Sequence, residues 1–137
     1  RVTIAEDHEM TREGWALILG RATGIAVVGL AADGQEAVDQ VLALRPEVAL
    51  LDIQMPRLDG IAATEMILRA RPDARIILFT TFDGDEDIFR GLRAGARGYI
   101  LKDAPRDQVV RAIREVAAGR RFLPPVVSER LAERLDW

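Results

Sequence analysis

Five short apolar segments, at residues 2–5, 25–31, 48–51, 76–79 and 99–101, recur along the chain with charged and turn-forming stretches between them. Each is rich in Val, Ile and Leu and too short for a buried helix, so each reads as a strand. Val48, Ala49, Leu50 and Leu51, bounded by Pro46 and Pro56, are apolar at every position. Only a strand covered on both faces can be, which marks this one as central. Helical spacing fills the intervals at residues 10–22, 35–44, 60–70, 85–94 and 106–118. The last is the clearest: Val109, Ala112, Ile113, Val116 and Ala117 form one stripe, and Gly119 is placed to stop the helix. Five alternations of strand and helix predict an α/β fold with a parallel sheet covered on both faces, because parallel neighbours need right-handed crossovers.

The pattern changes after Gly119. Arg120, Arg121, Phe122 and Leu123 lead into Pro124 and Pro125, after which Val127, Leu131 and Leu135 fall four residues apart. Residues 119–137 therefore read as a linker with a short sixth helix, and Pro125 suits a first helical turn. The stripe can pack on the domain's own surface or lead to a further domain or partner; the spacing leaves both open.

Composition narrows the function. At 137 residues with 49% hydrophobic and 30% charged residues, the chain has the size and balance of one globular domain. No apolar run approaches the roughly 18 residues of a membrane span. A net charge of −3 argues against nonspecific nucleic-acid binding, which needs clustered cations. Without cysteine there is no disulfide framework, thiolate metal site or thiol nucleophile, and a reducing cytoplasm fits. The chain opens on Arg1 and Val2 with no apolar leader, so no secretory signal is read.

The chemistry-bearing residues gather at strand ends. Glu6 and Asp7 follow the first strand, Asp52 the third, Thr80 and Thr81 the fourth, and Lys102 the fifth. In an open parallel sheet, ligands collect at these carboxyl ends. Three carboxylates converging there would repel one another unless a cation sat among them, and hard oxygen donors without His or Cys point to Mg²⁺. Asp52 then becomes a nucleophile toward a phosphoryl group, with Lys102 as a mobile charge and the Thr80 hydroxyl as a donor for its oxygens. Other chemistries fit less well. A phosphohydrolase would place a second carboxylate two residues after the nucleophile, where Gln54 stands, and neither a P-loop nor a Gly-x-Gly-x-x-Gly string occurs. A flavin-binding module of this topology would leave Lys102 and the three carboxylates unexplained. His8 follows the acidic pair and opens a helix, which suits a loop position better than a ligand. Asp83, Asp85, Glu86 and Asp87 suit the start of a helix, and Gly91 and Gly95 suit close packing and a helix end.

These residues resemble the receiver domain of bacterial two-component response regulators over about residues 1–118. Glu6 and Asp7 look like its acidic pair, Asp52 like its phosphoacceptor, Met55, Pro56, Asp59 and Gly60 like the loop beyond, Thr80 and Tyr99 like its switch residues and Lys102 like its lysine. The strings from Leu51 to Gly60 and from Ala94 to Asp103 look most like the NarL/LuxR-type branch, in which a receiver precedes a helix-turn-helix DNA-binding domain. The resemblance implies a flavodoxin-like (βα)5 doubly wound sheet of order 2-1-3-4-5 with a C-terminal linker helix. It implies a regulatory domain rather than an enzyme, with weak self-phosphorylation from small phosphodonors and self-dephosphorylation. It implies Mg²⁺ held by Asp7, Asp52 and the Gln54 carbonyl, with Glu6 through water, and phosphotransfer from a sensor histidine kinase. It further implies homodimerisation through the face of the fourth helix, fifth strand and fifth helix, and DNA contact only through a domain beyond Trp137. Glu6 departs from the family's frequent Asp. Gln54 and Phe82 occupy positions that in the family influence acyl-phosphate lifetime.

Overall fold

A computed structural model describes residues 1–81 and 85–135. Phe82 and Asp83 lie outside the described residues, as does the side chain of Leu135. In chain order the elements are β1 (Val2–Ala5), α1 (Glu9–Gly20), β2 (Val27–Ala31), α2 (Gly34–Leu44), β3 (Val48–Asp52), α3 (Gly60–Ala70), β4 (Ile76–Thr80), α4 (Asp85–Ala94), β5 (Gly98–Leu101), α5 (Arg106–Ala117) and α6 (Pro125–Leu135). The five strands form one parallel sheet in the order β2-β1-β3-β4-β5. This is the flavodoxin-like doubly wound fold with a C-terminal helix.

Alternation along each strand sends side chains to two cores. Ala49, Leu51, Ile76, Leu78 and Tyr99 meet Val38, Val41, Ile61, Ile67 and Ile88 from α2, α3 and α4. Val48, Leu50, Ile77, Phe79 and Ile100 meet Leu19 of α1 and Val109, Ile113 and Val116 of α5. β1, β3 and β4 are buried at every position, as interior strands of a two-sided sheet must be. Each fully buried Val, Leu or Ile contributes about 1.5–3 kcal/mol, so these layers dominate the stability of the fold.

The boundaries moved where turns compete with periodicity. β2 begins at Val27 rather than at residue 25, because the Ile25 N–H closes a turn onto the Ala22 carbonyl. α1 stops at Gly20 rather than at residue 22, with the Arg21 and Ala22 N–H groups bonded back to Ile18 and Leu19. β5 gains Gly98, which pairs with Ile77. α5 ends at Ala117, and Gly119, at a φ of 89°, turns the chain out of it.

The C-terminal stripe packs on the domain's own surface. The Tyr99 N–H donates to the Phe122 carbonyl at 3.0 Å and the Phe122 N–H to the Arg97 carbonyl at 3.0 Å, which extends the sheet past β5. α6 then lies against α4, with Val127 fully buried and Leu131 partly so.

Candidate functional site

Strand order determines which loops meet. The sheet reverses direction of growth between β1 and β3, and the crevice at that point opens at the carboxyl ends of the strands. Glu6 follows β1, Asp52 is the last residue of β3, Thr80 the last of β4, and Lys102 follows β5. The parallel register keeps these ends level: Ala5 faces Leu51, Asp52 faces Phe79 and Thr80 faces Leu101.

Lys102 joins the group. Its ammonium donates to Asp52 Oδ2 at 2.8 Å and to Glu6 Oε1 at 3.1 Å, and lies 5.6 Å from the centre of the Phe79 ring. Its backbone N–H continues the β4–β5 ladder onto the Thr80 carbonyl. Glu6 is 1% exposed and Asp52 2% exposed. Burial lifts the Glu6 carboxyl to about 7, assisted by the adjoining Asp52 carboxylate, while Lys102 opposes the shift. Burial also works against the Lys102 charge, but the bonds to Asp52 and Glu6 outweigh it and hold its pKa above the ordinary value. Asp52 Oδ1 accepts the Gln54 N–H at 3.3 Å, and Gly60 brings the start of α3 against the strand end, where a Cβ would lie 2.1 Å from the Asp52 carbonyl oxygen.

Asp7 completes an oxygen cluster from the exposed side. One carboxylate oxygen from each of Glu6, Asp7 and Asp52 lies within 4.8 Å of the others. Glu6 Oε2 is buried without a hydrogen-bond partner among the described residues, an acceptor available to a cation or its water shell. Hard oxygen donors, no His or Cys and one open side suit Mg²⁺. A depression of about 470 Å³ beside Asp7 is lined by Gln54, Met55, Pro56 and Asp59 and leaves the site accessible.

The two switch candidates are near but not joined to this cluster. The Thr80 hydroxyl donates locally to the Thr81 carbonyl at 3.1 Å. Tyr99 is fully buried in the α2–α4 core, its hydroxyl without a partner among the described residues, and burial, with Asp87 adding, raises its pKa. His8 takes the N-cap position of α1 without a side-chain bond. Two residues with a structural claim on the site were not singled out by the sequence pattern. Asp33 caps α2, and Arg57 donates to its Oδ2 at 2.9 Å. An Asp three residues before Glu36 was a readable helix-start signal; its long-range partner was not.

Comparison with known proteins gives consistent results. The family model described as the response regulator receiver domain matches residues 2–114. The uncharacterized transcriptional regulatory protein YxjL of Bacillus subtilis is 38% identical over 131 residues, covering 96% of this chain and 60% of that protein. A two-component response regulator of the LuxR family from Aurantimonas superposes with a TM-score of 0.94 at 34% identity, covering 100% of this chain and 98% of that one. The receiver domain of the NarL response regulator from Mycobacterium tuberculosis gives 0.83 at 36% identity, covering 88% and 97%. The chain spans about three fifths of the length of the curated relatives it matches.

Proposed function

Because this chain belongs to the response regulator receiver family, in its NarL/LuxR-type branch, we propose that Asp52 is the phosphoacceptor of a two-component switch. The observation that carries the reading is Lys102 bridging buried Glu6 and Asp52, with Asp7 alongside. The donor is a phosphohistidine of a sensor kinase. An Asp52 carboxylate oxygen attacks phosphorus, the P–N bond breaks, and the imidazole leaves with its electron pair and takes up a proton. The product is an acyl phosphate.

The chain's own groups make that transfer possible by position and charge. Lys102 already sits at one Asp52 oxygen and is long enough to follow the negative charge onto the phosphoryl oxygens. The Gln54 N–H orients the other oxygen. Thr80, released from the Thr81 carbonyl, donates to a phosphoryl oxygen. Asp7, Asp52 and the Gln54 carbonyl, with Glu6 through water, would hold Mg²⁺, which supplies charge neutralisation when bound. Gln54 stands where a hydrolase would carry its acid, which favours a persistent modification over rapid turnover.

Thr80 and Tyr99 relay the change to the face of α4, β5 and α5, and Tyr99 already points inward in this structure. Moving such an equilibrium from 1:99 to 99:1 takes about 5.5 kcal/mol of differential stabilisation. The output is homodimerisation and control of a DNA-binding domain after residue 137, with residues 119–137 as the linker, in the cytoplasm. Acetyl phosphate and Mg²⁺ test the first step. Intact mass should rise by one phosphoryl group in this chain and stay unchanged in Asp52→Asn; equal labelling of both would refute the assignment.

A further inference from the structure

The loop between β3 and α3 carries Gln54, yet it is tied to an element outside the site. Arg57 holds a φ of 67°, a left-handed conformation that residues other than glycine keep only when something fixes them. The Leu58 N–H closes a tight turn across it onto the Pro56 carbonyl at 2.7 Å, and Asp33 holds its side chain. The Arg57 Nε and Nη2 groups donate to Asp33 Oδ2 at 2.9 and 2.5 Å, while Asp33 Oδ1 accepts the Glu36 N–H at 2.8 Å as the cap of α2. Asp33 is 2% exposed and both of its oxygens are used. The Arg57 side chain is 69% exposed, but the carboxylate it meets is buried and bonded on both oxygens, which fixes that end of the tether.

A second contact adjoins the first. The Leu58 carbonyl lies so close to Gly34 that a Cβ there would sit 1.9 Å from its oxygen. At the other end of the loop, the Gly60 N–H donates to the Ile53 carbonyl at 2.8 Å. Residues 54–56 are thus suspended between the end of β3 and a clamp on α2. Among the described residues, α2 contributes no group to the cluster of Glu6, Asp7, Asp52 and Lys102.

We propose that Asp33 and Arg57 are positioning residues for the metal site: their ion pair holds the Gln54 carbonyl at its rim and thereby sets the affinity for Mg²⁺ at Asp52. This rests on the phosphoacceptor reading above. Outer-shell partners of metal ligands typically change affinity 10–100-fold when removed, and since the carbonyl is one ligand among several, the expected loss is roughly tenfold.

Calorimetric titration of the chain with magnesium chloride, beside thermal unfolding of the same samples, tests the clamp. Arg57→Ala and Arg57→Gly should both fold and bind Mg²⁺ roughly tenfold more weakly. Because glycine also relaxes the backbone, loss in both variants assigns the effect to the ion pair. Combining Asp33→Asn with Arg57→Ala should weaken binding no further than Arg57→Ala alone. Arg57→Lys, which keeps the charge without the fork, should fall between. Wild-type affinity in Arg57→Ala, or in Arg57→Lys should the smaller side chain fail to fold, would overturn the clamp and leave the phosphoacceptor reading intact. Asp52→Asn binding Mg²⁺ as tightly as wild type would overturn that reading itself, and absence of binding in wild type would overturn both.

Discussion

At Glu6, burial and charge pull in opposite directions. Its carboxyl is held by a strand whose ladder continues through its own N–H to the Ala31 carbonyl, so it cannot withdraw to solvent. A buried carboxyl lifted from 4.5 to about 7 is protonated more readily in the folded chain than in the unfolded one. Between those values the folded state binds more protons, so stability falls as pH rises and the cost is complete above about 7. Asp33 has the opposite sign. The Glu36 N–H, and then Arg57, hold its carboxyl below 3.8, so its contribution is present above that value and is lost as pH falls further. In Mg²⁺-free buffer, Glu6→Gln should therefore raise the melting temperature relative to wild type at pH 8 and leave it nearly unchanged at pH 4.5. Equal differences at both pH values would show that the Glu6 proton is not linked to folding.

At the scale of elements, the C-terminal segment is the informative case. Its helical pattern was clear, but a stripe of Val127, Leu131 and Leu135 says only that one side is apolar. What places it is the ladder pair between Tyr99 and Phe122, which brings α6 down beside α4. Val127 is then 0% exposed. Val127→Ala removes two buried methyl groups, so at about 0.8 kcal/mol each, with a cavity added, it should cost about 2 kcal/mol. Urea denaturation would measure this as a lower midpoint with an unchanged slope. A cost near zero would mean that α6 spends little time on this surface. Tyr99 links the segment to the site, since the residue cast as a switch also donates the first bond of the added strand.

On the scale of the whole molecule, the sheet has two unlike edges. β2 is partly exposed from Val27 to Leu30, whereas β5 is paired at its start with Phe122, and α6 lies against the neighbouring α4. An uncovered edge strand is a template for pairing with another chain. Ending the chain after Gly119 would bare β5 and open the socket of Val127. Sedimentation velocity should then detect self-association of the shortened chain at concentrations where the 137-residue chain is monomeric. A shortened chain that remains monomeric would show that the segment does not protect this edge. The dimerisation proposed through α4, β5 and α5 would have to accommodate or displace the same segment.

Much of this was legible along the chain because it depends on local chemistry. The uniformly apolar run at Val48 to Leu51 announced a central strand, and Asp52, Glu6, Asp7, Thr80 and Lys102 were each readable as polar residues at strand ends. Helix stops followed from Gly95 and Gly119, both at positive φ. Boundaries near Ile25 and Ala22 were not, since a turn hydrogen bond there displaces the periodicity. Sequence by itself determined the alternation of strand and helix, the two-sided sheet and the identity of the chemical groups, because side-chain spacing and burial preference act within a few residues. Tertiary structure alone decided that Lys102 meets Glu6 across 96 positions, that Arg57 is held by Asp33 across 24, and that α6 folds back onto α4. Such contacts depend on which strands become neighbours and which loops then collide, and that is settled only when the whole chain packs.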